Sequence, residues 1–297
     1  MAAQAASLAS IDVGSIRLTY IPDGVTHLRP TSQFPNTTPE LWAERKDSLD
    51  EDGWLVMTLG SFLVESGGRT ALIDLAWGPE SIEMPPTEGG APGGDVVGGA
   101  LLDNLALLGV QPSDIDIVMY THLHPDHTGW VVDPESGQFT FPNAVNVVAS
   151  TEWKFWHEAS EPGATGLGPR PEQSAVMREH LRLVEDGDSP IDGVQLMLTP
   201  GHTPGHTAFV VASEGQRAII PGDAIHCPAE LLLPELQFVH DHDPALTRAA
   251  KSHLQREFLK PNTIVAGGHF PDPVYGVFRD DSDQRRLIPV RRLNRRS

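Results

Sequence analysis

Four apolar stretches of this chain each run directly into a turn that carries histidine or aspartate beside glycine or proline. "IDIVMY" leads into "THLHPDH", "VQLML" into "TPGHTPGH", "RAII" into "PGD" and "NTIVA" into "GGHF". Short apolar runs bounded by turn residues read as buried strands. A buried strand is a rigid mount, and the loop that follows it can bring its polar residues against those of other strands. One such histidine would be an ordinary core residue. Four strand ends of this kind point to one shared site.

Around these ends the chain reads as α/β. The stretch "SIRLTYI" predicts a strand, and "WLVMTLGSFLVESGGRTALIDLAWG" predicts a hairpin turning at "ESGGRT". Residues 79–99, rich in Pro and Gly without periodicity, read as a long loop. "ALLDNLALLGV" has leucines at helical spacing, with Gly109 where a helix ends. "DIDIVMY" reads as a short buried strand, and "PALTRAAKSHLQREFLK" as an amphipathic helix stopped by Pro261. No repeat is visible. One α/β domain over residues 1–297 is the simplest account, with 1–50 as an N-terminal extension contributing a strand and a pocket loop, and 280–297 as a basic, solvated C-terminal tail.

Composition closes off several classes. The chain of 297 residues has a formal net charge of -19, which opposes both a nucleic-acid backbone and an anionic membrane surface. No apolar run approaches the ~18 residues a membrane span requires. The opening "MAAQAASLAS" has neither a basic start nor a sustained apolar core, so no signal peptide is read and a cytoplasmic location is expected. Cys227 is the only cysteine, which excludes an internal disulfide and any multi-cysteine metal site.

The ligand types that remain are imidazole and carboxylate, which suit zinc, manganese, iron or cobalt. In "HLHPDH" an extended backbone points His122 and His124 the same way. Pro125 then bends the chain so that Asp126 and His127 face a second position. The spacing divides into two metal-ligand sets.

This pattern, His122-x-His124-x-Asp126-His127 followed by a Gly-His turn, a Gly-Asp turn and a late His, resembles the metallo-β-lactamase superfamily over roughly residues 54–270. The resemblance implies an αββα sandwich with the site at one edge of two packed sheets. It implies two divalent metal ions, zinc first among the candidates: His122, His124 and His202 on one, Asp126, His127 and His269 on the other, and Asp223 bridging. Of the two histidines in "TPGHTPGH", His202 is the expected ligand and His206 a pocket or supporting residue. His226, three residues after Asp223, is close enough to face the metals. His27, His157, His180, His240, His242 and His253 carry no motif and read as surface or structural.

Within the superfamily, Asp223 argues against the true β-lactamases, the acidity against RNA-processing nucleases, and His124 against the flavodiiron type. "YTHLHPDHTGW", "FPNAVNVVASTEWKFW" and "TPGHTPGHTAFVVASEGQRAIIPGD" are most similar to methyl parathion hydrolase and its quorum-quenching lactonase relatives. That similarity implies a hydrolase acting, through a hydroxide bridging the metals, on a small, fairly hydrophobic ester, lactone or phosphotriester-like substrate. Asp126 and Asp223 would be catalytic as well as ligating, and His226 would donate a hydrogen bond to the developing oxyanion. Trp77, Trp130, Phe155 and Trp156 are the expected apolar walls. The acyl-homoserine lactonases carry Tyr where this chain has His226, which keeps hydrolytic dehalogenases of aromatic substrates in play. A mononuclear iron dioxygenase of the persulfide type is the other alternative. A homodimer through apolar loop surface is compatible with the sequence.

Overall fold

In the computed structural model, residues 2–85, 93–158, 167–281 and 284–290 are described. Fifteen strands among them form two sheets. The first contains β1 (Ala9–Val13), β2 (Ile16–Leu28), β3 (Leu55–Ser66), β4 (Arg69–Ile73), β5 (Ser81–Glu83), β6 (Asp95–Val97), β7 (Ile117–Met119), β8 (Val145–Ala149) and β9 (Leu181–Val184). Its order is β5-β6-β2-β3-β4-β7-β8-β9, with β1 paired to β2. The second runs in sequence order through β10 (Val194–Leu198), β11 (Thr207–Ser213), β12 (Gln216–Ile220), β13 (Thr263–Ala266), β14 (Tyr275–Asp281) and β15 (Gln284–Pro289).

Side-chain alternation along each strand builds the layers. Phe62 and Val64 of β3, Ala71 and Ile73 of β4, and Ile117 and Met119 of β7 pack inward against Leu196, Phe209 and Ile220 of the second sheet. Leu63, Leu72 and Val118 point the other way. They bury the inner faces of the helices Leu101–Leu107, Ser150–His157 and Pro171–Glu179. On the far side the helix Pro244–Phe258 covers the second sheet through Leu254 and Phe258, whose ring lies 6.3 Å from that of Phe278. The result is the expected αββα sandwich.

Pairing direction decides where the polar strand ends go. β4, β7 and β8 are mutually parallel, as are β12 and β13. Parallel neighbours finish on the same edge of a sheet, so the turns after them are delivered side by side. Asp74 follows β4, the His122 turn follows β7, Asp223 follows β12 and His269 follows β13.

The hairpin turns at Gly67 and Gly68, whose φ values of 58° and 77° match the twist of the flanking strands. The helix at 101–107 is followed by Gly109 at φ 76°, a left-handed stop. Two expectations change. The 79–99 loop contains β5 and β6, which pair with each other and extend the sheet beyond β2; its residues 86–92 lie outside the described residues. The basic run read as a tail begins with β15, which pairs along the length of β14, while 291–297 lie outside the described residues. The N-terminal segment packs Leu28, Phe34 and Trp42, with Met57 of β3, against Cys227, Leu236 and Phe238, beside the edge where those turns gather. No helix of the described residues is long and apolar enough to cross a membrane.

Candidate metal centre

The turn after β7 is held open by its own chemistry. His124 is extended (φ -70°, ψ 162°) and Pro125 occupies the first position of the short helix Pro125–Thr128, where its missing N–H is not required. His122 and His124 therefore face one position while Asp126 and His127 face another. His122, His124 and His202 bring their ligand atoms within 4.8 Å of one another, and so do Asp126, His127, Asp223 and His269.

Asp223 stands between the two sets and divides its oxygens between them. Oδ2 lies 3.5 Å from His202 Nε2 and 3.8 Å from His122 Nε2. Oδ1 lies 3.0 Å from His269 Nε2 and 3.2 Å from His127 Nε2. Asp126 Oδ2 completes the second set, 3.5 Å from His269 Nε2. His122 Nε2 and Asp223 Oδ1 are buried without a hydrogen-bond partner. Orphaned buried polar atoms are costly and rare. Here they converge on common points from several directions, the arrangement that a divalent cation satisfies.

The outward ring nitrogens are engaged separately. His127 Nδ1 lies 2.9 Å from Asp74 Oδ2, His202 Nδ1 3.2 Å from Asp241 Oδ1, and His269 Nδ1 2.9 Å from the Thr58 carbonyl. With Nδ1–H donated outward, each Nε2 presents its lone pair to the centre. Burial, then neighbouring imidazoles, holds His122 and His124 well below the usual imidazole range; burial does the same to His202 against the pull of Asp223. Neutral imidazole is the ligating form. Burial also pulls His127 and His269 down, but carboxylates led by Asp223 outweigh it and hold both up. That concentration of negative charge would stabilise a bound dication in the same way.

The supporting residues reach across the sequence. Asp74 accepts from the Thr121 N–H and hydroxyl, each at 2.8 Å, besides facing His127. Asp74 has φ 62° and Ala76 φ 45°, two left-handed non-glycine residues on either side of Leu75 beside the site. Glu152, at the start of the helix Ser150–His157, accepts from Leu123 N–H at 3.0 Å, Trp156 Nε1–H at 2.7 Å, the Thr203 hydroxyl at 2.6 Å and Gly205 N–H at 3.2 Å. It joins the two loops that carry His124 and His202. None of Asp74, Glu152 and Asp241 was legible as part of the site. Asp74 alone carries a sequence signal, an acidic residue that ends the apolar run of "TALIDLAWG" just as the other polar turns end theirs.

Each expected pocket residue has a definite place. Trp77 lines an apolar cleft of about 280 Å³ with Met57, Leu59, Val96 and Phe238; its floor includes Asp126, Asp223, His226 and His269. Phe155 and Trp156 line an adjoining recess of about 390 Å³, which reaches the same His124 and His202. Trp130 lines neither. It is buried in the outer core, and its Nε1–H is donated to Asp23 Oδ1 at 2.8 Å. His206 is buried behind the site, where its Nε2 accepts the Asp223 N–H at 2.9 Å and so positions Asp223. Burial pulls its imidazole down to about 4. Gly222 must be glycine for this contact: its φ is 53°, and a Cβ would come within 2.6 Å of His206 Nε2.

His226 faces the cleft, with Nε2 3.3 Å from Asp223 Oδ2 and its ring stacked on Phe238 at 3.7 Å. His240, read as surface or structural, lines both recesses.

Comparison with known proteins places this geometry. The N-acyl homoserine lactonase of Bacillus thuringiensis is 25% identical over 171 residues, 57% of this chain and 61% of that protein. The N-acyl homoserine lactonase AttM of Agrobacterium fabrum (strain C58) is 27% identical over 123 residues, 40% of this chain and 44% of that protein. The chain thus spans about three-fifths or less of the curated relatives it matches. Solved structures agree over nearly the whole fold. AidC, a dizinc quorum-quenching lactonase in complex with a product homoserine, superposes with a TM-score of 0.81 at 23% identity, covering 97% of this chain and 99% of that one. The hydrolase AbOPH gives 0.78 at 23% identity, covering 98% and 100%. The sequence model of the metallo-β-lactamase superfamily matches residues 61–269, from β3 to His269, and the chain belongs to that superfamily.

Proposed function

We propose that this protein is a dinuclear metal-dependent hydrolase of small, fairly hydrophobic lactones or esters, with zinc as the first choice of metal. The observation that carries this reading is Asp223, whose two oxygens face two separate ligand sets on the floor of an apolar cleft. Two divalent metals bound there supply a water made nucleophilic near neutral pH and a Lewis acid for the substrate's oxygen.

The chain's own residues do the rest. Met57, Leu59, Val96 and Phe238 give the cleft an apolar wall that takes a hydrocarbon chain and excludes water from it. Asp126 is the most exposed of the ligating carboxylates, at 28%. It is placed to take the proton that the attacking water gives up and to pass it to the leaving oxygen. His226 directs Nε2 toward the space above Asp223; with its Nδ1–H donated to Glu230, that nitrogen presents a lone pair that accepts a hydrogen bond from the reacting groups. The adjoining recess at Phe155 and Trp156 receives the other arm of the substrate. Lactonase relatives support lactones over phosphotriesters as the leading class.

The test is elemental analysis of the purified protein, followed on the same sample by a panel of lactones, aryl esters, thioesters, phosphotriesters and chlorinated aromatics. The expected result is close to two metals per chain and proton release from lactones or esters, with both lost in Asp223→Ala. A single iron per chain with oxygen uptake, or an Asp223→Ala protein that keeps metal and turnover, overturns the proposal.

A further inference from the structure

We infer that Glu230 and Lys251 are positioning residues that fix the His226 ring with its Nε2 turned into the metal cleft. The inference rests on the hydrolase reading for its consequence in catalysis, and on geometry alone for the ring itself.

His226, Glu230 and Lys251 are all buried. Glu230 Oε2 accepts the His226 N–H at 2.5 Å and the Cys227 N–H at 3.3 Å, and lies 3.1 Å from His226 Nδ1. Glu230 Oε1 accepts from Lys251 Nζ, which also donates to the Leu236 carbonyl at 2.7 Å. Part of this is an ordinary helix cap. Glu230 is the third residue of the helix Pro228–Leu232, and a glutamate there commonly reaches back to the residue before the helix.

Capping explains the backbone bonds and leaves two features over. The same oxygen takes the imidazole Nδ1–H. A lysine from a different helix, Pro244–Phe258, is brought into the interior to neutralise the carboxylate. A lone buried carboxylate is strongly disfavoured, so the pair is tolerated only because both members are present and hydrogen-bonded.

The ring is held on one edge by Glu230 and on one face by Phe238, whose plane is inclined by 22° at 3.7 Å. A flip would exchange Nδ1 for carbon and break the bond to Glu230. Nε2 is what remains, buried and without a hydrogen-bond partner, on the wall of the cleft. Lys251 anchors Glu230, Glu230 sets the tautomer and azimuth of His226, and His226 meets the substrate.

The experiment uses the full-length, zinc-loaded protein. Long-range proton–nitrogen NMR of the histidine rings, with His226 assigned by its loss in His226→Asn, reads which ring nitrogen carries hydrogen. The wild type is expected to show a protonated Nδ1 at His226; an unprotonated Nδ1 overturns the inference without recourse to any variant. In the double variant Glu230→Gln/Lys251→Met, which leaves no buried unpaired charge, His226 is expected to become a mixture of tautomers. For a lactone that the wild type hydrolyses, kcat should fall tenfold or more while KM stays within twofold and two metals are retained. An unchanged His226 spectrum, or an unchanged kcat, in a folded double variant overturns the inference. A wild type that hydrolyses nothing on the panel sinks the hydrolase reading instead, and the ring spectra still decide whether this pair sets His226.

Discussion

Replacing Glu152 tests how the metal-binding loops are held. Its carboxylate touches no candidate metal ligand, yet it accepts four hydrogen bonds, two at Oε1 from Leu123 and Trp156 and two at Oε2 from Thr203 and Gly205. Each bond to a charged group contributes about 1.5–3 kcal/mol, and each buried donor left unmatched costs about 1–3 kcal/mol. In Glu152→Gln one oxygen survives for Leu123 and Trp156. The new amide NH₂ faces Thr203, whose hydroxyl can turn to accept, and Gly205, whose N–H cannot. One unmatched donor predicts a loss of about 2 kcal/mol. Burial raises the Glu152 carboxyl more than its four donors lower it, so removing the charge returns part of the loss and keeps the figure near that value. Glu152→Ala leaves two backbone N–H groups and an indole N–H without acceptors and predicts about 5 kcal/mol. Urea unfolding of the metal-loaded variants measures both, and chelator competition should show the His122–His124–His202 position weakened before the other. An alanine variant within about 1 kcal/mol of wild type, or a glutamine variant as damaged as the alanine one, would refute the strut.

Other outcomes follow from single contacts. Gly222→Ala should cost about 3 kcal/mol, from left-handed backbone and from the push of a Cβ against His206, and should lower metal content; a stable variant with full metal occupancy would show that the turn yields. Cys227 is fully buried, and burial followed by the Glu230 charge pushes its thiol above the usual range. It should resist thiol reagents in the native state at pH 8 and react at the rate of unfolding, so rapid labelling of folded protein would contradict its placement.

Which residue types gather at the site was legible in the sequence, and so was their grouping into two clusters, because both depend on local facts: an extended His-x-His, a proline that bends the chain, and turns at the ends of apolar runs. The strands, the hairpin at Gly67–Gly68 and the long helix were legible for the same reason, since periodicity and turn chemistry act over a few residues. Only the tertiary structure decided which carboxylates support those ligands. Glu152, Asp241 and Glu230 look like any other acidic residue until the chain brings a buried imidazole or amide against each. Trp130 shows the converse. Its neighbours in sequence suggest a pocket wall, but Asp23, 107 residues away, offers a buried acceptor for its indole and draws it into the core. A buried polar group is settled by whichever partner the fold delivers, and over such separations one-dimensional pattern carries no information about that partner.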